Sequence, residues 1–293
     1  MFDYVKGRVG FIHGGRYPHC HTIVITDQKR ALIDAASREE ELLKFNQEKP
    51  VDILITSHAH EDHIMYNYLF PEASFWAHED DAKAFANIKA MIEPFDPTEE
   101  ETEMWEEYLI KECNFVPRNP DRLLHEGDVL DFGETTAVVV HTPGHTSGHC
   151  AFHFPQERIL YMADLDLVKA GPYYGDPGSD LELTIKSLER LATFDVDTYL
   201  TAHGKGIHEG NPELIYRYLD TIWHREIKLL DLLAEGPKTI EDIVTEGIIY
   251  GKPKDLGVWN LAISEKHMML KHLRLLEKQG RVVSENGLYH LVE

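Results

Sequence analysis

Six consecutive residues decide the interpretation of this chain, and they read His58-Ala59-His60-Glu61-Asp62-His63. They directly follow an apolar, β-branched run at residues 51–56, which predicts a buried strand. A loop that leaves the end of a strand can direct His58 and His60 at one cation and Asp62 and His63 at a neighbouring one. Imidazole nitrogens and carboxylate oxygens are ligands that zinc accepts at about 2.0–2.2 Å. We therefore interpret residues 58–63 as a metal-binding loop.

Three later segments offer the donors that such a site still needs. His145 lies in a turn at residues 142–149 that is punctuated by glycine and proline. Asp164 follows the apolar run 160–163, and its carboxylate can bridge two cations. His203 follows a second run at residues 199–202. Because α/β folds place their sites at strand ends and in the turns after them, we expect these donors to meet the 58–63 loop.

The first two hundred residues alternate short apolar runs with helical patterns, which predicts an α/β domain. Two serine–glutamate pairs predict helix starts with capping boxes: Ser37 with Glu40 opens a helix to about residue 47, and Ser179 with Glu182 opens one through residue 191. Nine runs predict strands: residues 8–13, 22–26, 31–34, 51–56, 74–77, 136–141, 150–154, 158–162 and 198–201.

An acidic helical insertion is expected at about residues 85–125. Asp96 followed by Pro97 predicts a helix start, and the glutamate-rich helix should run to about Glu112. The favoured interpretation is a solvated face. The alternative is a lid over the active site, whose apolar side would be Met91, Phe95, Trp105 and Tyr108.

The chain after His203 has a different pattern, so we divide it into a catalytic domain at residues 1–210 and a module at residues 211–293. Residues 213–234 predict an amphipathic helix, and Gly236-Pro237 ends it. A short helix at 239–244 and a long helix at 261–279 follow. A hairpin closes the chain, because residues 281–284 and 288–292 flank an Asn-Gly turn. This order is typical of a winged helix.

Composition bounds the function further. The 293 residues contain no apolar run near the roughly 18 needed to cross a bilayer, so no membrane association is expected. Three scattered cysteines and an N-terminus without signal-peptide features predict a cytoplasmic protein. The net charge is -22, and the last 82 residues hold 11 basic and 13 acidic groups. General attraction to nucleic acid is therefore disfavoured.

The combined motifs resemble those of the metallo-β-lactamase-fold hydrolases over about residues 8–210. The tail resembles the winged helix that is appended in one branch of that superfamily. The resemblance implies an αββα sandwich, and it implies that Asp34 supports the metal loop without binding metal. It also implies two metal sites. His58, His60 and His145 would hold one metal, and Asp62, His63 and His203 the other, with Asp164 and a hydroxide bridging them.

The expected cofactors are two divalent metal ions. Nitrogen and oxygen donors without thiolate fit zinc first, with iron or manganese as alternatives. The metals would polarise a substrate oxygen and lower the pKa of the bridging water towards neutrality. Asp62 and Asp164 are the predicted catalytic residues, because Asp62 can also orient the hydroxide. Residues expected to support the site or contact substrate are Asp34, His149, His21, Tyr173 and Tyr174.

Two functions remain open on the sequence alone. The first is hydrolysis of a small-molecule ester, thioester or lactone. The alternative is an endoribonuclease or phosphodiesterase acting on single-stranded RNA, for which Lys266, Lys271, Arg274 and Lys278 on the long helix would contact phosphates. The acidic insertion departs from the RNA-cleaving branch. Because the module itself is also net acidic, unlike the basic surface expected of a nucleic-acid binder, we favour a module that packs against the pocket or forms a homodimer interface.

Overall fold

The computed structural model describes residues 2–95, 97–252 and 261–292. Its first sheet has seven strands in chain order, antiparallel from β1 to β4 and parallel from β4 to β7. Short apolar, β-branched segments form its centre, and these are fully buried because both faces are covered. The strands are β1 (Tyr4–Lys6), β2 (Val9–Ile12), β3 (Thr22–Ile25), β4 (Ala31–Ile33), β5 (Ile53–Ile55), β6 (Ser74–His78) and β7 (Arg122–Leu124).

The second sheet has six strands in the order β13-β12-β11-β10-β9-β8. Its neighbours are antiparallel except for β11 and β12, which are parallel. The parallel pair places the carboxyl ends of β11 and β12 at the same edge. The strands are β8 (Val129–Asp131), β9 (Thr136–His141), β10 (Cys150–Phe154), β11 (Ile159–Tyr161), β12 (Thr198–Leu200) and β13 (Ile207–Glu209).

The two sheets pack face to face around one apolar core, and helices cover their outer faces. Helix α1 (Glu39–Glu48) buries Leu42 and Phe45 in the core of the first sheet. Helix α5 (Leu181–Leu191) buries Leu188 and Leu191 against the second sheet. The predicted αββα sandwich is therefore confirmed.

The acidic insertion forms a small helical layer beside the first sheet. It contains α2 (Ala82–Ala86), α3 (Ile88–Ile92), a single 3₁₀ turn at Glu93–Phe95 and α4 (Glu99–Lys111). Thr98, not Asp96, precedes α4, and its side chain shares a reciprocal capping box with Glu101. The predicted start at Pro97 is wrong for this reason, and Asp96 itself lies outside the described residues. The insertion ends before residue 125, since β7 rejoins the sheet.

The tail contains the predicted order of elements. Helices α6 (Pro212–Ala234), α7 (Ile240–Glu246) and α8 (Leu261–Lys278) are followed by a hairpin of β14 (Val282–Glu285) and β15 (Leu288–Leu291). The first half of α6 packs in the core beneath the second sheet, whereas Leu229 and Leu233 belong to a core of the tail itself. One helix thus joins both cores. Within the described residues, the helices are too short or too polar to cross a membrane.

Candidate metal centre

The predicted donors meet at one edge of the sandwich because strand directions bring them there. The 58–63 loop follows β5 in the first sheet. Asp164 and His203 follow the parallel strands β11 and β12, and the 142–149 turn enters β10, which is antiparallel to β11. Four segments from both sheets therefore end at the same place. The structure brings all seven predicted donors together there, in two groups.

The first group consists of His58, His60, His145 and Asp164. His60 Nδ1 lies 3.1 Å from His58 Nε2 and 3.0 Å from His145 Nε2. Asp164 Oδ2 lies 3.3 Å from His145 Nε2. Three imidazole nitrogens and one carboxylate oxygen thus converge on a common point, as the ligands of a tetrahedral cation do.

The second group consists of Asp62, His63 and His203, and Asp164 adjoins it. His203 Nε2 lies 3.1 Å from Asp62 Oδ2 and 3.5 Å from Asp164 Oδ1. His63 Nε2 lies 2.9 Å from the same Asp164 oxygen. The two oxygens of Asp164 therefore face different groups, an arrangement in which one carboxylate could bridge two cations.

The hydrogen bonds of the site fit metal cations. His145 Nδ1 lies 3.1 Å from the carbonyl oxygen of Tyr173, so this nitrogen carries the proton and Nε2 offers its lone pair to the centre. His63 Nε2 and Asp164 Oδ1 are both buried without a hydrogen-bond partner, although they face each other. Buried polar atoms in this state are costly without a partner, and a cation between them would satisfy both. The donor set, all nitrogen and oxygen, suits a divalent metal.

Asp34 stands behind the metal loop, where the resemblance predicts it. Its Oδ2 lies 3.1 Å from His63 Nδ1 and accepts a hydrogen bond of 2.5 Å from the hydroxyl of Tyr161. Its Oδ1 accepts a hydrogen bond from the backbone of Ser57 at 2.7 Å. Asp34 adopts a φ of 57°, a conformation that is uncommon for residues other than glycine. The carboxylate holds both the start of the loop and the His63 ring.

Asp81 connects two donor segments, and the sequence analysis missed it. One carboxylate oxygen accepts from the backbone of Ala59 at 2.8 Å and the hydroxyl of Thr146 at 3.0 Å. The other accepts from the backbone of Gly148 at 2.8 Å. A Cβ on Gly148 would lie 2.5 Å from the Asp81 carboxyl carbon, so only glycine permits this approach. Asp81 thereby fixes the 58–63 loop relative to the 142–149 turn.

Asp176 is a second residue that the sequence analysis missed. Its Oδ2 lies 3.2 Å from His60 Nε2, and its Oδ1 accepts a hydrogen bond of 2.8 Å from Tyr173. A carboxylate beside Nε2 favours a proton there, which leaves Nδ1 free to bind a cation. Its only signal in the sequence was its position in the glycine- and proline-rich loop that contains Tyr173.

His149 is fully buried and supports Asp164. Its Nδ1 lies 2.8 Å from the hydroxyl of Thr142, and its Nε2 accepts a hydrogen bond from the backbone of Asp164 at 3.2 Å. Burial, together with nearby His145, keeps the pKa of His149 well below its usual value. The ring is thus neutral and can accept this bond, which holds Asp164 in place.

The other expected residues have different positions. His21 is buried between the backbone nitrogen of Gly14 and the carbonyl of Gly204, and burial lowers its pKa to about 3. Tyr173 supports His145 and Asp176 as described above. Tyr174 is fully buried, and its hydroxyl contacts Arg225 and His272, each at 2.8 Å. Tyr174 therefore has no surface in this structure with which to contact a substrate.

Asp166 is a third carboxylate beside the second group, and the sequence analysis did not include it. It forms a further donor cluster with Asp164 and His203, and its Oδ1 accepts a hydrogen bond of 2.9 Å from the backbone of His203. Burial raises the pKa of Asp166 to about 7, and the charge of Asp164 acts in the same direction. Its visible role is to hold the backbone at His203.

Known proteins share both sequence and fold with this chain. A protein of Aquifex aeolicus without an assigned function is 26% identical over 174 residues, which cover 58% of this chain and 76% of that protein. A hydroxyacylglutathione hydrolase of Rhizobium etli is 37% identical over 79 residues, so the match spans 30% of that enzyme. An atrochrysone carboxyl ACP thioesterase of Pseudocercospora fijiensis is 27% identical over 172 residues, 57% of this chain and 49% of the thioesterase.

Two solved structures have the same fold along almost the whole chain. A β-lactamase domain protein from Burkholderia ambifaria superposes with a TM-score of 0.76 at 21% identity, covering 99% of this chain and 94% of that one. A metallo-β-lactamase family protein from Thermus thermophilus gives 0.71 at 22% identity, with 93% and 94% covered. The family model of the metallo-beta-lactamase superfamily matches residues 15–203. This chain therefore belongs to the metallo-beta-lactamase superfamily of hydrolases.

Proposed function

We propose that this protein is a dinuclear-metal hydrolase that cleaves a small-molecule thioester, with esters and lactones as related substrates. The observation that carries the proposal is the position of Asp164 between the two donor groups, with one oxygen towards each. We propose His58, His60 and His145 as ligands of one metal and Asp62, His63 and His203 as ligands of the other. Zinc suits these donors best, with iron or manganese as alternatives.

The residues of the site have two kinds of role in the proposed hydrolysis: some would bind metal and orient water, and others position those donors. When bound, two divalent cations supply Lewis acidity and lower the pKa of water towards 7. Asp62 lies at the second group, where it would bind metal and orient the attacking water. Asp34, Asp81, Asp176 and His149 hold the donors in place, so the site is organised before substrate arrives.

A thioester suits this site because of its leaving group. Water adds its oxygen to the carbonyl carbon, the carbon–sulfur bond breaks, and the products are a carboxylate and a thiol. A thiol has a pKa near 8.5, so it leaves as a thiolate at neutral pH without a dedicated proton donor. The named relatives include hydroxyacylglutathione hydrolases and an acyl-carrier-protein thioesterase, and both names denote hydrolysis of a thioester.

The contacts of α8 support a packing role for the tail over RNA binding. Three of the four cations that the RNA hypothesis needs are engaged within the protein. Lys271 is buried and donates to the carbonyl of Asp176 at 2.7 Å. Lys278 pairs with Glu182 at 2.8 Å, and Lys266 pairs with Glu241 at 3.6 Å. Phosphate binding would have to break these contacts, so we keep RNA cleavage as the second candidate.

The experiment is a substrate panel with metal-reconstituted protein. It contains thioesters of glutathione, coenzyme A and N-acetylcysteamine, p-nitrophenyl esters, lactones, a phosphodiester and short single-stranded RNA. Released thiol is measured with a chromogenic thiol reagent. We expect thioester hydrolysis that depends on added metal and is absent in Asp164→Ala. Metal-dependent cleavage of RNA with every thioester left intact would replace the proposal by its alternative.

A further inference from the structure

We propose that the helical insertion supplies the acyl-binding wall of the active site and selects an uncharged, aromatic acyl group. This inference rests on the proposed thioester hydrolysis. The wall consists of four aromatic rings: Tyr17, Phe95, Trp105 and Tyr108. Tyr17 lies between β2 and β3, whereas the other three belong to the insertion. All four leave part of their side chains accessible, and Tyr17 is 45% exposed.

The wall begins at a proposed metal ligand. The ring of Phe95 stacks on the imidazole of His60, with 5.9 Å between centroids and an interplanar angle of 25°. Phe95 also stacks on Trp105 at 5.0 Å, and these two rings are parallel to within 4°. A continuous aromatic surface therefore extends from the metal centre into the insertion. A group bound at the metals lies next to this surface.

The other end of the wall contacts the metal loop again. The ring of Trp105 meets Tyr108 edge to face at 5.7 Å, and the hydroxyls of Tyr108 and Tyr17 are 3.1 Å apart. The Tyr17 hydroxyl donates a hydrogen bond of 2.6 Å to the carboxylate of Glu61, which lies inside the 58–63 loop. The wall is thus tied to the metal loop at both His60 and Glu61.

The apolar residues of helix α4 differ in how deeply they are buried. Leu109 is 1% exposed and packs in the main core, so it anchors the helix. Trp105 and Tyr108 pack against the same core but are only partly buried, and they contact Phe95 and Tyr17, the two rings that meet the metal loop. Partly accessible rings beside a metal centre offer apolar contact and offset stacking to a ligand. The proposed wall therefore gives a role to two rings that are only partly buried on a largely acidic helix.

The aromatic composition of the wall indicates which kind of acyl group it would bind. Stacked rings bind a flat aromatic group better than a methyl group, because more apolar surface leaves water. A charged acyl group would lose its hydration against these apolar rings, so the wall favours an uncharged one. The expected substrate therefore has an uncharged arylacyl group, and its carbonyl lies at the metals.

The kinetic experiment compares phenylacetyl and acetyl thioesters of the same thiol. We expect kcat/KM to favour phenylacetyl by at least about tenfold, the effect of burying one additional ring. Trp105→Ala should lose most of this preference, so that its ratio of phenylacetyl to acetyl kcat/KM approaches one. Trp105→Leu serves as a better-tolerated second variant, and Trp223→Ala, an exposed site on α6, is the matched control. Equal preference in wild type and both Trp105 variants would overturn the wall.

A binding experiment separates the wall from the proposed activity. Phenylacetate is titrated into the metal-loaded protein while tryptophan fluorescence is recorded, with acetate as the comparison. We expect phenylacetate to change the fluorescence at concentrations at least tenfold lower than acetate, and Trp105→Phe to abolish the change. Failure of all thioesters in the panel, with this binding intact, would reject the proposed function and keep the wall. Identical titrations for both acids would reject the wall.

Discussion

The carboxylate of Asp176 lies 3.2 Å from Nε2 of His60, the imidazole nitrogen that faces away from the proposed metal. The same residue is bound from the tail, because Lys271 on α8 donates to its carbonyl at 2.7 Å. Tyr173 adds a hydrogen bond to the carboxylate, and its hydroxyl lies 3.2 Å from Ser264 on α8. Helix α8 therefore contacts Asp176, and Asp176 in turn contacts the proposed metal ligand His60.

The first prediction concerns this support. Asp176→Asn removes the negative charge beside His60 and should weaken metal binding by about 10- to 100-fold, the usual cost of losing such a partner. Competition with a chromogenic chelator measures the affinity. The control is Asp231→Asn, which changes an exposed aspartate on α6. Equal affinities for the two variants and wild type would show that Asp176 does not orient His60.

The second prediction concerns Asp81, which holds two donor segments together. Asp81→Ala leaves the part-buried backbone amide of Ala59 and the buried backbone amide of Gly148 without their acceptor. Unsatisfied buried groups cost about 1–3 kcal/mol each, so the metal-free protein should lose about 3 kcal/mol of unfolding free energy. Urea denaturation checks this, with Asp80→Ala, a half-exposed neighbour, as the control. A loss below about 1 kcal/mol would contradict the role assigned to Asp81.

The third prediction concerns pH and His272. Burial lowers the pKa of this imidazole to about 3, whereas an unfolded histidine titrates near 6.5. Between these values the unfolded chain binds a proton that the folded chain does not, so stability falls as the pH decreases below about 6.5. At pH 5 this cost is about 2 kcal/mol. It is absent above pH 7.

The test replaces His272 by glutamine in metal-free protein. The variant cannot take up this proton, so its unfolding free energy should decrease by about 2 kcal/mol less than that of wild type between pH 7 and pH 5. Urea titrations at the two pH values give the difference. Parallel pH dependence in both proteins would mean that His272 is not held neutral by burial.

The fourth prediction is that the tail does not bind nucleic acid tightly. A protein that makes 6–10 phosphate contacts loses roughly 10³–10⁵ in affinity between 50 and 200 mM salt. Metal-free protein is titrated with labelled single-stranded RNA and duplex DNA at both salt concentrations. We expect weak binding even at 50 mM. Tight, steeply salt-dependent binding that disappears in a Lys271→Ala, Arg274→Ala double variant would reverse the order of the two proposed functions.

The sequence predicted the donors well because each one follows a strand end or lies in a short turn. All nine predicted strands are present, within one or two residues of their predicted bounds at either end. Among the residues that the structure describes, four strands were missed, β1, β7, β8 and β13, and these are the edges of the two sheets. Each has three residues and is partly exposed, so it lacks a continuous apolar run. Edge strands of this kind carry little local signal.

Supporting residues were harder to predict because their partners are distant in sequence. Asp176 meets His60 across 116 positions, and no local pattern marks such a contact. Two helix caps were also predicted incorrectly. Asp180, not Ser179, caps α5, while the Ser179 hydroxyl donates to the carbonyl of His145. Arg38 precedes α1 without a side-chain cap, so the expected Ser37 capping box is also wrong.

The central claim is that two metals bind in this site and that Asp164 joins them. Elemental analysis tests it most directly, on protein purified without chelator and again after reconstitution with zinc, iron or manganese. We predict close to two metal ions per chain, as expected for a two-metal hydrolase. Asp164→Ala should hold fewer ions and lose hydrolytic activity, with an unchanged circular dichroism spectrum. A wild-type chain that binds no transition metal even after reconstitution would contradict the account.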